Sequence, residues 1–382
     1  MIAYTIREFF KELKNIFVDF GAALILVIAP LSYSFVYSIP YATEVIKDVP
    51  IGVCDNDASD ISRKLVRMIE ASPYLEIVSY PTDLESAKKE MNKQKIYAYI
   101  DIPQGFSSDI KKEKKTFVSV YTDSGYLIVY RQIMANMNLI VGTVSKQIEV
   151  KNVLKQVGDF GKALEISMPV KISETPLFNP SGGYESYIFP AVLILILQQT
   201  MLVGVGLLCG TARELGEFKH YSQSCIPSIV LGKSFAHVIT YLCHCITYFV
   251  IIPELYRFSF YYNFWLIFFI LLPYLFGVSF LAQTLTILFK KRESSLLAIV
   301  VISLPLAFLP GIIWPKEAIP SLLRGLSMTL PCTGAMDSIV KVNQMGATFG
   351  DVKYSFILLV VLMIVYYFTA VKVYRHLAKT EN

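Results

Sequence analysis

Gly232-Lys233-Ser234 matches the end of a phosphate-binding loop. Such a loop needs a glycine five residues before Gly232, and Pro227 stands there. No nucleotide site is expected on this chain. Asp55, Asp57 and Ser59 have the opening spacing of a calcium loop. Asp60 replaces its glycine and Val66 its closing glutamate, which removes that reading. Cys243-His244-Cys245 carries soft metal ligands, but adjacent helical residues point in different directions and no second cluster completes four. The 6 cysteines are scattered and form no disulfide framework. Neither G-x-S-x-G nor H-E-x-x-H occurs. Enzyme chemistry and a bound cofactor or metal are therefore not expected.

A second set of polar residues interrupts apolar runs. His237 and His244 are two helical turns apart and share a face. Gln198, Gln199 and Thr200 form one polar break, and Gln283 with Thr284 another. In a lipid environment such groups must find partners. Gln198, Gln199, His237 and His244 are candidates for lining a pathway. Hydrogen bonding between helices is the commoner use and stands beside that reading. With no carboxylate in these runs, a proton relay is the weaker alternative.

These residues sit in a chain built for a membrane. Of its 382 residues, 54% are hydrophobic and 17% charged, against roughly 25% charged in soluble domains. Residues 20–43, 186–212, 234–253, 258–289, 294–315 and 354–371 contain no Asp, Glu, Lys or Arg. Each is about long enough to cross a hydrocarbon layer of roughly 30 Å. The first lacks a small-residue cleavage site and reads as a retained anchor. Charge is concentrated in 44–185 and in short loops, so the net +5 is no argument for nucleic acid. Arg7, Lys11 and Lys14 precede the first span, Lys290, Lys291 and Arg292 follow the fourth, and Lys372, Arg375 and Lys379 follow the last. With six spans these segments share one side, which the positive-inside rule assigns to the cytoplasm. Both termini are then cytoplasmic and 44–185 is extracytoplasmic.

The predicted fold is an α-helical polytopic membrane protein with six transmembrane helices, one plus five, and an α/β domain inserted between the first two. In that domain Val49–Val53, Leu75–Tyr80, Ile96–Ile100 and Phe117–Tyr121 read as strands. Ser59 caps a helix bearing Ile61, Leu65, Met68 and Ile69, and Leu84, Ala87 and Met91 mark another. Leu127, Tyr130, Met134, Met137, Val141, Val144 and Ile148 form a heptad-like seam, packed on the domain's own sheet or in a dimeric coiled coil. In the membrane half, 186–382, residues 211–228 suit an amphipathic helix along the cytoplasmic face. Residues 309–342 carry Pro310, Pro315, Pro320 and Pro331 among apolar residues, as in an outer re-entrant hairpin.

Four stretches carry a family resemblance: Asp55-Asn56-Asp57-Ala58-Ser59-Asp60-Ile61-Ser62-Arg63, Tyr187-Ile188-Phe189-Pro190 with Gln198-Gln199-Thr200, Arg213-Glu214-x-Gly216-Glu217 followed by Pro227 and Gly232-Lys233, and Trp314-Pro315-x-x-x-Ile319-Pro320 followed by Pro331. In this order and topology the chain resembles the permease subunit of ABC exporters, of the type-2 class with a large domain after the first helix. It departs in lacking the family's Gly-Thr pair after the acidic run. The resemblance implies two permease chains, identical or paralogous, in the bacterial inner membrane, with a separate ABC ATPase as partner. That ATPase would hydrolyse the ATP and grip the chain at Arg213, Glu214, Gly216 and Glu217. It implies export of a hydrophobic or amphipathic substrate (drug, lipid or glycolipid), with a periplasmic adaptor and outer-membrane channel as further partners of some members. The alternative is a membrane-anchored scaffold or receptor whose outer domain binds a ligand without transport.

Overall fold

In a computed structural model, the described residues are 2–39, 46–167, 184–256, 263–288, 291–294, 297, 299–301, 309–310 and 319–380. They fall into two units, Met1–Glu44 with Pro176–Asn382, and Val45–Thr175. The second unit is the insertion expected at 44–185.

The helical unit begins with α1 (Ile2–Val18) and α2 (Phe20–Ser38). After the insertion come α8 (Tyr184–Glu214), a 3-10 turn (Glu217–His220), α9 (Ile226–Tyr256) and α10 (Phe264–Leu285). The remaining helices are α11 (Ser321–Ser327), α12 (Pro331–Met345) and α13 (Phe349–Thr380). Helices α2, α8, α9, α10 and α13 are long and apolar enough to cross a membrane and match five of the expected spans. The expected fifth, 294–315, lies largely outside the described residues, as do residues 311–318 of the expected hairpin. In α2 a π-turn, Leu24–Ile28, ends two residues before Pro30. In α9 the π-turn Thr247–Ile251 ends two residues before Pro253. Proline lacks the amide that would close the α-helical ladder, and a widened turn accommodates the missing bond.

The expected helix over 211–228 is corrected. Helix α8 continues through Glu214 and Gly216 turns the chain at φ 67°. The 3-10 turn follows, and Pro227 sits in the first turn of α9. Gly216 takes the left-handed conformation that a glycine adopts without Cβ strain, and that stops the helix. The amphipathic helix of this unit is instead α1, with Glu12 and Ile16 buried and Ile6, Phe10 and Phe17 exposed.

The inserted unit contains β1 (Val49–Asp55), α3 (Asp60–Glu70), β2 (Leu75–Ser79), α4 (Leu84–Asn92), β3 (Ala98–Ile102), α5 (Phe106–Lys111) and β4 (Ser119–Thr122). Two further helices, α6 (Leu127–Val157) and α7 (Phe160–Ser167), complete it. The sheet order is β2-β1-β3-β4, with β1 parallel to both neighbours and β3 antiparallel to β4. Helix α3 starts at the expected Ser59, in a capping box with Ser62. Helix α6 is also long and apolar enough to span a membrane. Its apolar side is used on the sheet: Ile133, Met137, Ile140 and Val144 join the core of Ile51, Val53, Ile100 and Ile102. Met137 and Val144 of the expected seam are buried and Val141 and Ile148 pack against the core, while Ile133 and Ile140 are buried beside them and Leu127 is exposed.

The acidic run after β1 builds this unit. Asp55 accepts the amides of Asp57 and Ala58 and the Ser62 hydroxyl, at 2.8 Å. Asp57 accepts the amides of Gly105 (2.9 Å) and Ser107 (3.1 Å), capping α5 from across the loop. Hydrogen bonds from Ser59 and from those two amides hold the Asp57 carboxyl below its usual pKa range. We expect Asp57→Ala to destabilise the inserted unit by about 1 kcal/mol, the usual scale of a lost helix cap. Urea-dependent proteolysis within 46–167 of the solubilised chain measures this, and an unchanged midpoint would contradict the capping role.

Candidate coupling site

One end of the helical unit gathers the α8–α9 connection, α1, the end of α10 and the end of α13. Gly232 admits α1 to α9: a Cβ there would lie 2.5 Å from the Thr5 carbonyl oxygen and 2.9 Å from the Glu8 Cβ. One residue on, Lys233 Nζ is 3.2 Å from Glu12 Oε2, and both side chains are almost fully buried. His237 Nε2 is 3.2 Å from the other carboxylate oxygen of Glu12, and its Nδ1 is 2.9 Å from Ser279 Oγ. Ser279 and Gln283 of α10 donate to Ser234 at 3.0 and 2.7 Å. The tripeptide that imitates a phosphate loop is thus a helix-packing and ion-pairing device. Burial alone would push the Glu12 carboxyl up. Lys233 and then His237 outweigh it and hold the group at about 2.

The predicted coupling residues surround this core. Arg213 Nη1 donates to the carbonyls of Thr286 (3.0 Å) and Ile287 (3.4 Å), closing the end of α10. Glu214 accepts the Arg292 amide at 3.3 Å. The Arg292 guanidinium grips both oxygens of Asp19, which also accepts the Ala22 amide at the start of α2. That grip holds the Asp19 carboxyl below its ordinary range. Glu217 pairs with Lys11 of α1 at 2.8 Å and accepts the Tyr221 hydroxyl at 3.2 Å. Phe218 is fully buried against the ring of Tyr374 from α13, centroids 4.9 Å apart. Arg213, Gly216 and Glu217 are therefore occupied within the chain. The residues left exposed on the connection are Glu214, Leu215, Lys219, His220 and Ser222–Ser224, and Leu215 is 71% exposed.

The four pathway candidates do not converge on one point. His237 belongs to the Glu12 cluster. His244 Nε2 donates to the Leu26 carbonyl at 2.8 Å. That carbonyl is the one whose α-helical partner would be the amide that Pro30 lacks. Gln198 accepts the Cys332 amide at 2.9 Å and donates to its sulfur, capping α12 from α8. Gln199 is half-buried beside it on α8. His237, His244 and Gln198 thus make interhelical contacts, as in the commoner of the two uses of such residues. Glu12, Asp19 and Ser279 went unread in the sequence. A signal existed for the first, since Glu8 and Glu12 sit one turn apart on the side of α1 opposite Phe10 and Phe17.

Two outcomes follow. Lys233→Met or Glu12→Leu alone leaves the partner charge buried, which costs about 3–5 kcal/mol, whereas the double replacement costs much less. Melting of the solubilised chain reads both. Glu12 is depressed from an ordinary 4.5 to about 2, so its stabilisation of α1 is complete above pH 4.5 and fades as pH falls toward 2. Protease access to α1 should stay constant from neutral pH to about 5 and rise below that window.

No curated protein and no solved structure matches the chain. The family model described as "ABC-2 family transporter protein" matches residues 21–372, from the start of α2 into the last turns of α13. With nearly its whole length matched, the chain belongs to the ABC-2 family of transporter membrane proteins, the permease subunits of ABC transporters.

Proposed function

We propose that this permease exports a hydrophobic or amphipathic substrate, a drug, lipid or glycolipid, from the cytoplasm or inner membrane. A separate ABC ATPase drives it by docking on the exposed surface of the α8–α9 connection. One observation carries the coupling part. The connection presents Glu214, Leu215, Lys219 and His220 outward, while its inward residues reach α1, α10 and α13 through Lys11, the Thr286 carbonyl and Tyr374. A push on this short connection would be passed to these three helices at once. Coupling requires only that the connection sit differently in two states of the bundle.

Lys11, Lys291, Arg292 and Arg375 all lie near this end, which supports assigning it to the cytoplasm. The inserted unit is then extracytoplasmic, where it would take up cargo or an adaptor. A second permease chain completes the pathway in this reading.

The test uses exposed residues, because Glu217 also holds α1. In Leu215→Glu with Lys219→Glu, ATPase co-purification in mild detergent should drop about tenfold or more. Melting should stay at the wild-type value. Full ATPase recovery with that variant would reject docking at this surface, and absence of any ATPase from wild-type preparations would reject the exporter reading.

A further inference from the structure

Helix α6 is about 46 Å long at 1.5 Å per residue, whereas the longest strand beneath it, β1, extends about 23 Å. The helix therefore overhangs the sheet. Ile133, Met137, Ile140 and Val144 are buried on the strands, and from Val141 onward α6 lines a cleft of about 800 Å³ with α5 and the segment 113–118. The volume falls within the roughly 300–1,000 Å³ of small-molecule sites. Its floor is apolar, from Leu65, Phe106, Ile110, Val144 and Ile148. Phe117 stands at the mouth with 72% of its surface exposed.

The rim has the opposite character. Lys114 and Lys115 line this cleft with Glu113 and Glu149, and Lys64, Lys111, Lys151 and Lys155 line the adjoining one with Glu113. Among the described residues, none of these six lysines is in a salt bridge. An apolar floor alone would suit many occupants. An apolar floor beside a rim of six lysines and two glutamates is complementary to one chemistry, an acyl chain carrying an anionic head.

We propose that the inserted unit holds an anionic phospholipid in this cleft, with an acyl chain on the Ile110–Val144–Ile148 floor and the phosphate among the lysines. The site goes beyond the transport reading and stands whether or not that lipid is the cargo. Lysine ammonium groups bind phosphate as mobile point charges, so selectivity should favour charge over headgroup shape. Because the rim is exposed, binding should weaken with salt.

The experiment uses the full chain in phosphatidylcholine nanodiscs. The probe is phosphatidylglycerol with a diazirine in one acyl chain, and adducts are mapped by mass spectrometry. Adducts should fall on Ile110–Val118 and Val141–Val153. They should diminish about tenfold in Lys114→Glu/Lys115→Glu/Lys151→Glu, whose positions are exposed and whose melting should not change. They should also diminish in Ile148→Asp, which alters the floor alone. A zwitterionic phosphatidylcholine probe should label the cleft far less, and inorganic phosphate should not compete. Equal labelling by both lipids with no effect of the lysine reversals would overturn the assignment, as would competition by phosphate alone. Hydrogen-exchange protection of Val141–Val153 without lipid adducts would show that polypeptide fills the cleft, and would also overturn it. Loss of ATPase binding in the Leu215/Lys219 variant leaves this result untouched, so the two readings fail separately.

Discussion

The buried pair of Glu12 and Lys233 sets the constraint on which the helical unit depends. Two charges removed from water must stay together, because separating them exposes each to a low-dielectric surrounding. Helix α1 carries an apolar stripe of Ile6, Phe10 and Phe17 that could rest on a bilayer surface in any register. The ion pair removes that freedom. Gly232 brings the backbones close enough for the contact, and His237, Ser279, Ser234 and Gln283 carry it on into α10. Once α1 is placed, Lys11 meets Glu217 and Asp19 meets Arg292. The sparse charges of this end then form one connected set. The exposed pairs add little stability individually; their contribution is to hold the α8–α9 connection against several helices.

A second constraint is backbone satisfaction. A helix in lipid has no water to repair a missing hydrogen bond. Pro30 and Pro253 each break the ladder, and a π-turn precedes both. The Leu26 and Pro30 carbonyls of α2 are taken by His244 and Tyr248 of α9, at 2.8 and 2.7 Å. Gln198 serves the start of α12 in the same way. Most of the polar residues in the apolar runs are thus explained by neighbouring helices before any ligand is invoked. In α2 the irregularity at Pro30 is met by side chains of α9 that take the freed carbonyls.

The inserted unit follows soluble rules. Its acidic loop uses carboxylates as amide acceptors, and Asp57 caps α5, which lines the cleft beside α6. Lysines outnumber glutamates around the two adjoining clefts there, and that excess charge distinguishes the site from an ordinary gap beside a helix.

By itself the sequence determined the class, the five described spans, the inserted unit, its strands and the capping at Ser59. Each rests on local physics: a bilayer fixes how long an apolar run must be, and periodicity fixes which face is buried. The family could also be read, because its motifs lie in order along the chain. Only the tertiary structure decided which residues share a site. Glu12 and Lys233 are 221 positions apart, and a helical wheel of either cannot announce the other. The buried face of α6 kept Met137 and Val144 of the expected seam and added Ile133 and Ile140, because the sheet beneath it covers a broader face than a heptad stripe. The 211–228 segment became a turn because Gly216 adopts a positive φ that stops α8, while Pro227 starts the next helix. Pairing across long sequence separation is a property of packing, and packing is settled by the whole chain at once.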